Sequence, residues 1–241
     1  MAISVPLSVR RPRLPRWLPA AARDSPLMQQ GGFALFDGLV SPEVRDRWLS
    51  EALVRARRAR RALVREAAGL NDDDADDEVP LQRRRSAMGG EVQEAIYHSR
   101  WMLRFLRKLT AVSPTPNSRF GGYIYYTRTG DHVGIHRDDE TCEVVAITCL
   151  CDGPQGGPEG GAFCVYPSRL SEPVAAIKAA PERGVVRLRL RPGQTLVMFG
   201  RILPHSVLPV TDGQRRVVSA LCYQIDGRAR TARHVAPRDR T

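Results

Sequence analysis

The residues best suited to do chemistry sit in one short stretch, Gly134-Ile135-His136-Arg137-Asp138-Asp139-Glu140. His136 and Asp138 are two residues apart. On a β-strand, side chains at i and i+2 share a face, so this pair can offer an imidazole nitrogen and a carboxylate oxygen to one metal ion. Arg137 then points the other way, and Asp139 and Glu140 read as the polar exit of the strand. Two histidines and one carboxylate leave adjacent coordination positions open, as non-haem Fe(II) oxygen chemistry requires. A bare His-x-Asp is common by chance, so a second histidine must complete the set.

The chain has five histidines. His98 falls on a helical pattern and His234 in a basic tail. His132 is four residues before His136, with Gly134 between them arguing against a helix that would align the two. His205 remains, 67 residues beyond Asp138 at the start of a β-rich run. In a jelly roll, strands distant in sequence become neighbours, so His205 can close a His136–Asp138–His205 triad.

The elements that must position these groups fall in two blocks. Phe33 to Phe36 is a short apolar segment. Ser41 reads as an N-cap, Pro42 as the first helical position and Glu43 as a first-turn acid. Val44, Trp48 and Ala52 mark the apolar face of a helix expected to run past Arg60. The stretch 71–78, NDDDADDE, reads as a solvated loop and lacks the glycine and terminal Glu offsets of a calcium loop. A second helix is expected over roughly 91–110. After Pro116 short β-rich runs alternate with Gly, Pro and Asp turns. Eight strands are expected, at about 121–128, 133–138, 143–151, 161–166, 185–190, 194–199, 205–210 and 215–223. The implied fold class is α+β, a double-stranded β-helix (jelly roll) with N-terminal helices packed outside. Residues 1–30 read as a basic, flexible arm, 31–225 as one domain (helical part 41–112, jelly-roll core 120–223), and 226–241 as a basic tail.

Composition sets outer limits. Apolar residues make up 42% of the chain, enough for a core, and no apolar run is long enough for a transmembrane helix. Without an apolar signal core in the N-terminal segment, the expected location is cytoplasmic. Five cysteines without a CxxC read as reduced core residues. The net charge of +11 invites a nucleic-acid reading. However, 35 of the 37 basic residues are arginines, the skew of a GC-rich coding sequence, and few aromatics interleave with them. Nucleic acid is therefore not the expected partner.

From about residue 33 to 223 the sequence resembles the 2-oxoglutarate- and Fe(II)-dependent dioxygenases, particularly the prolyl-4-hydroxylase-like branch. The pattern is Tyr126-x3-Gly130-x5-His136-x-Asp138, then Gly160-Gly161 before a strand, then Pro192-Gly193 before an apolar strand ending Met198-Phe199. It closes with His205-x-Val207-x-Pro209-Val210-x-x-Gly213-x-Arg215. The resemblance implies Fe(II) on His136, Asp138 and His205, with 2-oxoglutarate and O2 as cosubstrates and ascorbate as an allowed reductant. It also implies a cation for the far carboxylate of 2-oxoglutarate about ten residues after the distal histidine. Arg215 and Arg216 both fit. A hydroxyl four residues further on, Ser219, favours Arg215 over Arg216. Tyr126 stands where related enzymes place a hydroxyl on 2-oxoglutarate.

The retained aspartate favours hydroxylation over halogenation. The implied substrate is an amino acid, a peptidyl residue or a natural-product intermediate, released with succinate and CO2. A nucleic-acid demethylase of the same superfamily is a second reading, weakened because no arginine lies between Arg216 and Arg228. A non-catalytic jelly-roll binding module is the third. The segment 167–184, between core strands, is a candidate lid.

Overall fold

The structure, a computed structural model, describes residues 14–64, 82–153 and 159–225. The acidic stretch 71–78, the basic tail and the first thirteen residues lie outside these.

The jelly roll holds, with all eight expected strands present. In chain order the strands are β1 (Phe33–Phe36), β2 (Arg60–Val64), β3 (Gln82–Met88), β4 (Pro114–Tyr126), β5 (His132–His136) and β6 (Val144–Gly153). They continue with β7 (Phe163–Val165), β8 (Val186–Leu188), β9 (Thr195–Met198), β10 (His205–Val207) and β11 (Arg215–Ile225). The order is β1-β9-β6-β11-β4-β3-β5-β10-β7-β8, with β2 added on β3, and the pairings are antiparallel. The sheet curls so that β5, β7 and β10 face β4, β6 and β11 across one cavity.

Helices cover the outer side of the β4–β11–β6 layer. α3 (Pro42–Arg55) begins as expected, with the Ser41 hydroxyl accepting from the Val44 amide. It buries Trp48 and Ala52, and the Ala52 carbonyl accepts from the Tyr125 hydroxyl. The helix does not run past Arg60. It ends at Arg55, a single 3₁₀ turn follows, and the chain enters β2. The expected 91–110 helix is two, α4 (Glu91–Tyr97) and α5 (Arg100–Thr110). Ser99 breaks it by capping α5 through the Met102 amide, which lets the two segments turn over β4.

Three other expectations change. Residues 14–30 are not a free arm. They form α1 (Ala20–Arg23) and α2 (Pro26–Gln29) and bury Leu18, Ala22 and Leu27 in the main core. Apolar side chains spaced four and five apart give this basic segment a face to bury. Nor are all five cysteines reduced: Cys142 and Cys222 form a disulfide, 80 residues apart in sequence, while Cys149, Cys151 and Cys164 are free. The expected lid, 167–184, carries a 3₁₀ turn and α6 (Val174–Ala179) and lines no part of the cavity. Arg169, 2% exposed, forks onto Glu172 and donates to the Ala176 and Ala180 carbonyls, tying the segment to itself. Arg137 faces away from the cavity as expected and donates to the Ile202, Leu170 and Glu172 carbonyls.

Candidate metal and cosubstrate site

His136 ends β5, and His205 opens β10 as its direct antiparallel partner. Paired residues on adjacent strands share a face, so register alone brings the two imidazoles together, with ring centroids 4.2 Å apart. Asp138 lies two residues past the end of β5. Its amide donates to the Gly200 carbonyl at 3.0 Å, which keeps the chain extended and returns the carboxylate to the same face. Asp138 Oδ1 is 3.6 Å from His136 Nε2 and 3.7 Å from His205 Nε2. These are the three metal-capable groups that cluster among the described residues. Gly200 is required beside them, because a Cβ there would stand 2.1 Å from Asp138 Oδ2.

The donor set fits a divalent metal. Each histidine holds its Nδ1 against a carbonyl two residues back, Gly134 for His136 and Leu203 for His205, both at 2.9 Å. With the proton on Nδ1, both Nε2 lone pairs aim at the shared space. Burial and the adjacent His136 push the His205 pKa down to about 4, so the ring is neutral at neutral pH. Burial works to raise the Asp138 carboxyl, but His205, His136 and Arg84 more than offset it, and its pKa lies below the ordinary value. Two imidazole nitrogens and one carboxylate oxygen, roughly two metal–ligand bonds apart, suit a two-histidine, one-carboxylate iron site.

The triad lies in a cavity of about 700 Å³, lined by His136, Asp138 and His205 together with Tyr126 and Arg216. On β11 the alternation places Arg216, Val218 and Ala220 in this cavity and Val217, Ser219 and Leu221 on the helix side. Arg216 pairs directly with Tyr126, so the two share the cavity face. The guanidinium is 1% exposed, donates from Nη1 to the Gly161 carbonyl, and leaves Nε without a partner. A buried, unsatisfied donor at the end of a cavity is what an absent anion leaves behind. The Tyr126 hydroxyl is fully enclosed, and burial raises its pKa.

The preference for Arg215 therefore reverses. Arg215 is exposed and turned out of the cavity. Ser219, chosen as its companion, is buried on the opposite face, where its hydroxyl accepts from Gln93 Nε2 at 2.5 Å. Four residues beyond Arg216 stands Ala220, which lines the cavity. Sequence reading also missed Arg84, Ser86 and Met88 as cavity residues. They are alternate residues of β3, and Ser86 and Met88 pair with Ile124 and Gly122 on the cavity face of β4. A period of two in polar residues was the available signal.

No protein-family model matches this sequence, and no curated protein does. Solved structures do match in fold. A prolyl hydroxylase from Trichoplax adhaerens, solved with a hypoxia inducible factor peptide fragment, superposes with a TM-score of 0.58 at 16% identity, over 83% of this chain and 86% of that one. A Pseudomonas putida prolyl-4-hydroxylase gives 0.54 at 16% identity, over 86% and 98%. The non-haem alpha-ketoglutarate-dependent epimerase SnoN from nogalamycin biosynthesis gives 0.59 at 14% identity, over 86% and 81%. The chain thus has the jelly-roll fold of the 2-oxoglutarate-dependent oxygenases, prolyl hydroxylases among them.

Proposed function

We propose that this protein is a 2-oxoglutarate- and Fe(II)-dependent dioxygenase that hydroxylates an amino acid, a peptidyl residue or a natural-product intermediate, releasing succinate and CO2. The observation that carries the reading is the convergence of His136, Asp138 and His205 in one cavity with the orphaned Arg216 guanidinium. The fold's neighbours support it: SnoN has also been solved in complex with Fe3+, alpha-ketoglutarate and nogalamycin RO. Peptide and small-molecule complexes both occur among them.

When bound, iron with 2-oxoglutarate and O2 would supply the oxidising power, with ascorbate an allowed reductant. The chain supplies the rest. His136 and His205 are held in one tautomer by their main-chain acceptors, and Asp138 adds the anionic ligand. Arg216 would hold the far carboxylate of 2-oxoglutarate through its guanidinium, with Tyr126 beside it. Val145, Ile147, Phe163, Val207 and Val218 line the cavity with apolar surface, which would keep water from the site. Keeping a carboxylate at Asp138 favours hydroxylation over halogenation.

A cytoplasmic location belongs to the same proposal. No helix among the described residues is long and apolar enough to cross a membrane. The Cys142–Cys222 bond stands against the location, because such bonds persist in oxidising compartments. Alkylation of thiols in intact cells decides between them.

The test is spectroscopic. Anaerobic protein with Fe(II) and 2-oxoglutarate should show a weak visible charge-transfer band that His136→Ala abolishes. Succinate release in a screen of amino acids, peptides and metabolites, with a gain of one oxygen in the product, should follow. Absence of both band and succinate would leave the binding-module reading in its place.

A further inference from the structure

The cavity's charges do not balance. Arg55, Arg58, Arg60, Arg84 and Arg216 line it, and Asp138 is its single acid among the described residues. The proposed contents change little. A divalent metal cancels the 2-oxoglutarate dianion, and Asp138 cancels Arg216. Arg55, Arg58 and Arg60 are then left without counter-charge among the described residues, and Arg84, level with Tyr126 and Arg216 on the neighbouring strands, adds a further positive charge deeper in. None of the four forms an ion pair among the described residues, and Arg84 is engaged only by Gln82 Oε1, at 2.7 Å from its Nε. The nearest acid on the same helix, Glu51, gives its oxygens to the Gly90, Val92 and Gln93 amides and to the Tyr123 hydroxyl.

The placement is built by register. Arg60 pairs with Ser86, which pairs with Ile124, so β2, β3 and β4 present one continuous inner face. Arg84 sits further in, two residues along β3 from Ser86 and level with Tyr126. Arg55 comes from the last turn of α3 and Arg58 from the 3₁₀ turn after it. Arg58 and Arg60 are exposed at the rim, Arg55 and Arg84 half-buried. Met88, Ile124 and Ala220 line the same cavity with apolar surface. Like charges gathered in a walled cleft repel one another, focus a positive field and gain most from an anion that forks between guanidinium groups.

We propose that the substrate is a small molecule with an apolar body and at least one carboxylate, phosphate or sulfate group, held by Arg55, Arg58 and Arg60 at the mouth, with Arg84 deeper in. This rests on the dioxygenase reading for what happens to the molecule, but not for its charge. A nucleic-acid strand fits less well, because no exposed aromatic side chain stands among these arginines for a base to stack on.

The test uses anaerobic protein loaded with Mn(II) and 2-oxoglutarate, and 1-naphthyl phosphate, 1-naphthyl sulfate, 1-naphthoate and neutral 1-naphthol as fluorescent probes. At least one anion should bind saturably and about tenfold more tightly than 1-naphthol. The Arg58→Gln/Arg60→Gln variant should lose that preference while keeping its melting temperature and its Fe(II)–2-oxoglutarate band. The best-bound anion identifies the group. Equal affinity for 1-naphthol, or full anion affinity in the variant, would overturn the proposal. So would displacement of the probe by a single-stranded oligonucleotide at lower concentration than by any small anion. Binding that appears only after Asp72, Asp73 and Asp74 become Asn would assign the arginines to the chain's own acidic stretch and also overturn it. A missing Fe(II) band in the wild type sinks the dioxygenase reading instead and leaves the anion preference to be decided by the probes.

Discussion

Arg215 and Arg216 differ by one position and by the whole width of a sheet. Strand parity was the right tool, but Ser219 was the wrong reference, since both faces of β11 are buried and its hydroxyl serves Gln93. Tyr126 was the better reference, because its register partner is Arg216. Arg216→Gln should raise the half-saturating concentration of 2-oxoglutarate by at least about tenfold, the loss of a charged hydrogen-bonded pair, whereas Arg215→Gln should leave it unchanged. Titrating the charge-transfer band measures both. The triad itself was legible, because metal chemistry restricts residue type and the strand period restricts spacing. What could not be read was the state of His205. Its folded pKa, about 4, lies below the ordinary 6.5, so the unfolded chain binds the extra proton first. Metal-free protein should therefore lose stability as pH falls from about 6.5 towards 4, and His205→Gln should flatten that limb in urea melts followed across pH.

Elements show where hydrophobic pattern carries information and where it fails. The eight strands of the barrel proper were readable from apolar alternation and turn residues. β2 and β3 were not, because their inner face points into a charged cavity and carries Arg60, Arg84 and Ser86 instead of apolar side chains. The same run, 55–64, kept a helical appearance that ends in the structure at Arg55. Helix α4 shows a second limit. Gly90, its N-cap, has no side chain to cap it, and Glu51 of α3 does so from across the helix layer. Such a cap is invisible to local sequence rules. Burial works to raise the Glu51 carboxyl, but Tyr123 and the three amides win, and its pKa is lowered. Its contribution is present above the ordinary pKa of 4.5 and is lost as pH falls through the depressed value. Glu51→Gln should cost about 2 kcal/mol at neutral pH, by urea denaturation, and the cost should shrink in acid.

At the scale of the whole molecule, one covalent bond joins parts of the site that the sequence leaves far apart. Cys142 follows the proposed metal ligand Asp138 by four residues, and Cys222 is near the end of β11, beyond Arg216. Both line the cavity, so the bridge ties the loop behind Asp138 to the strand that carries Arg216. Nothing in an odd number of cysteines without close spacing could announce it. Pairing required the fold. Closing a loop of 80 residues removes unfolded-state entropy worth about 4 kcal/mol, so Cys222→Ser, or full reduction, should lower the melting temperature by roughly 10 °C. Metal binding should be weakened much less, because Asp138 is also held by the hydrogen bond its backbone amide donates to the Gly200 carbonyl and by the close approach of Gly200 itself. Calorimetry on oxidised and reduced protein, with the thiol count verified by mass, separates the two effects. An unchanged melting temperature in fully reduced protein would mean that the bridge does not hold the domain together. A parallel loss of iron would mean that it holds the site as well.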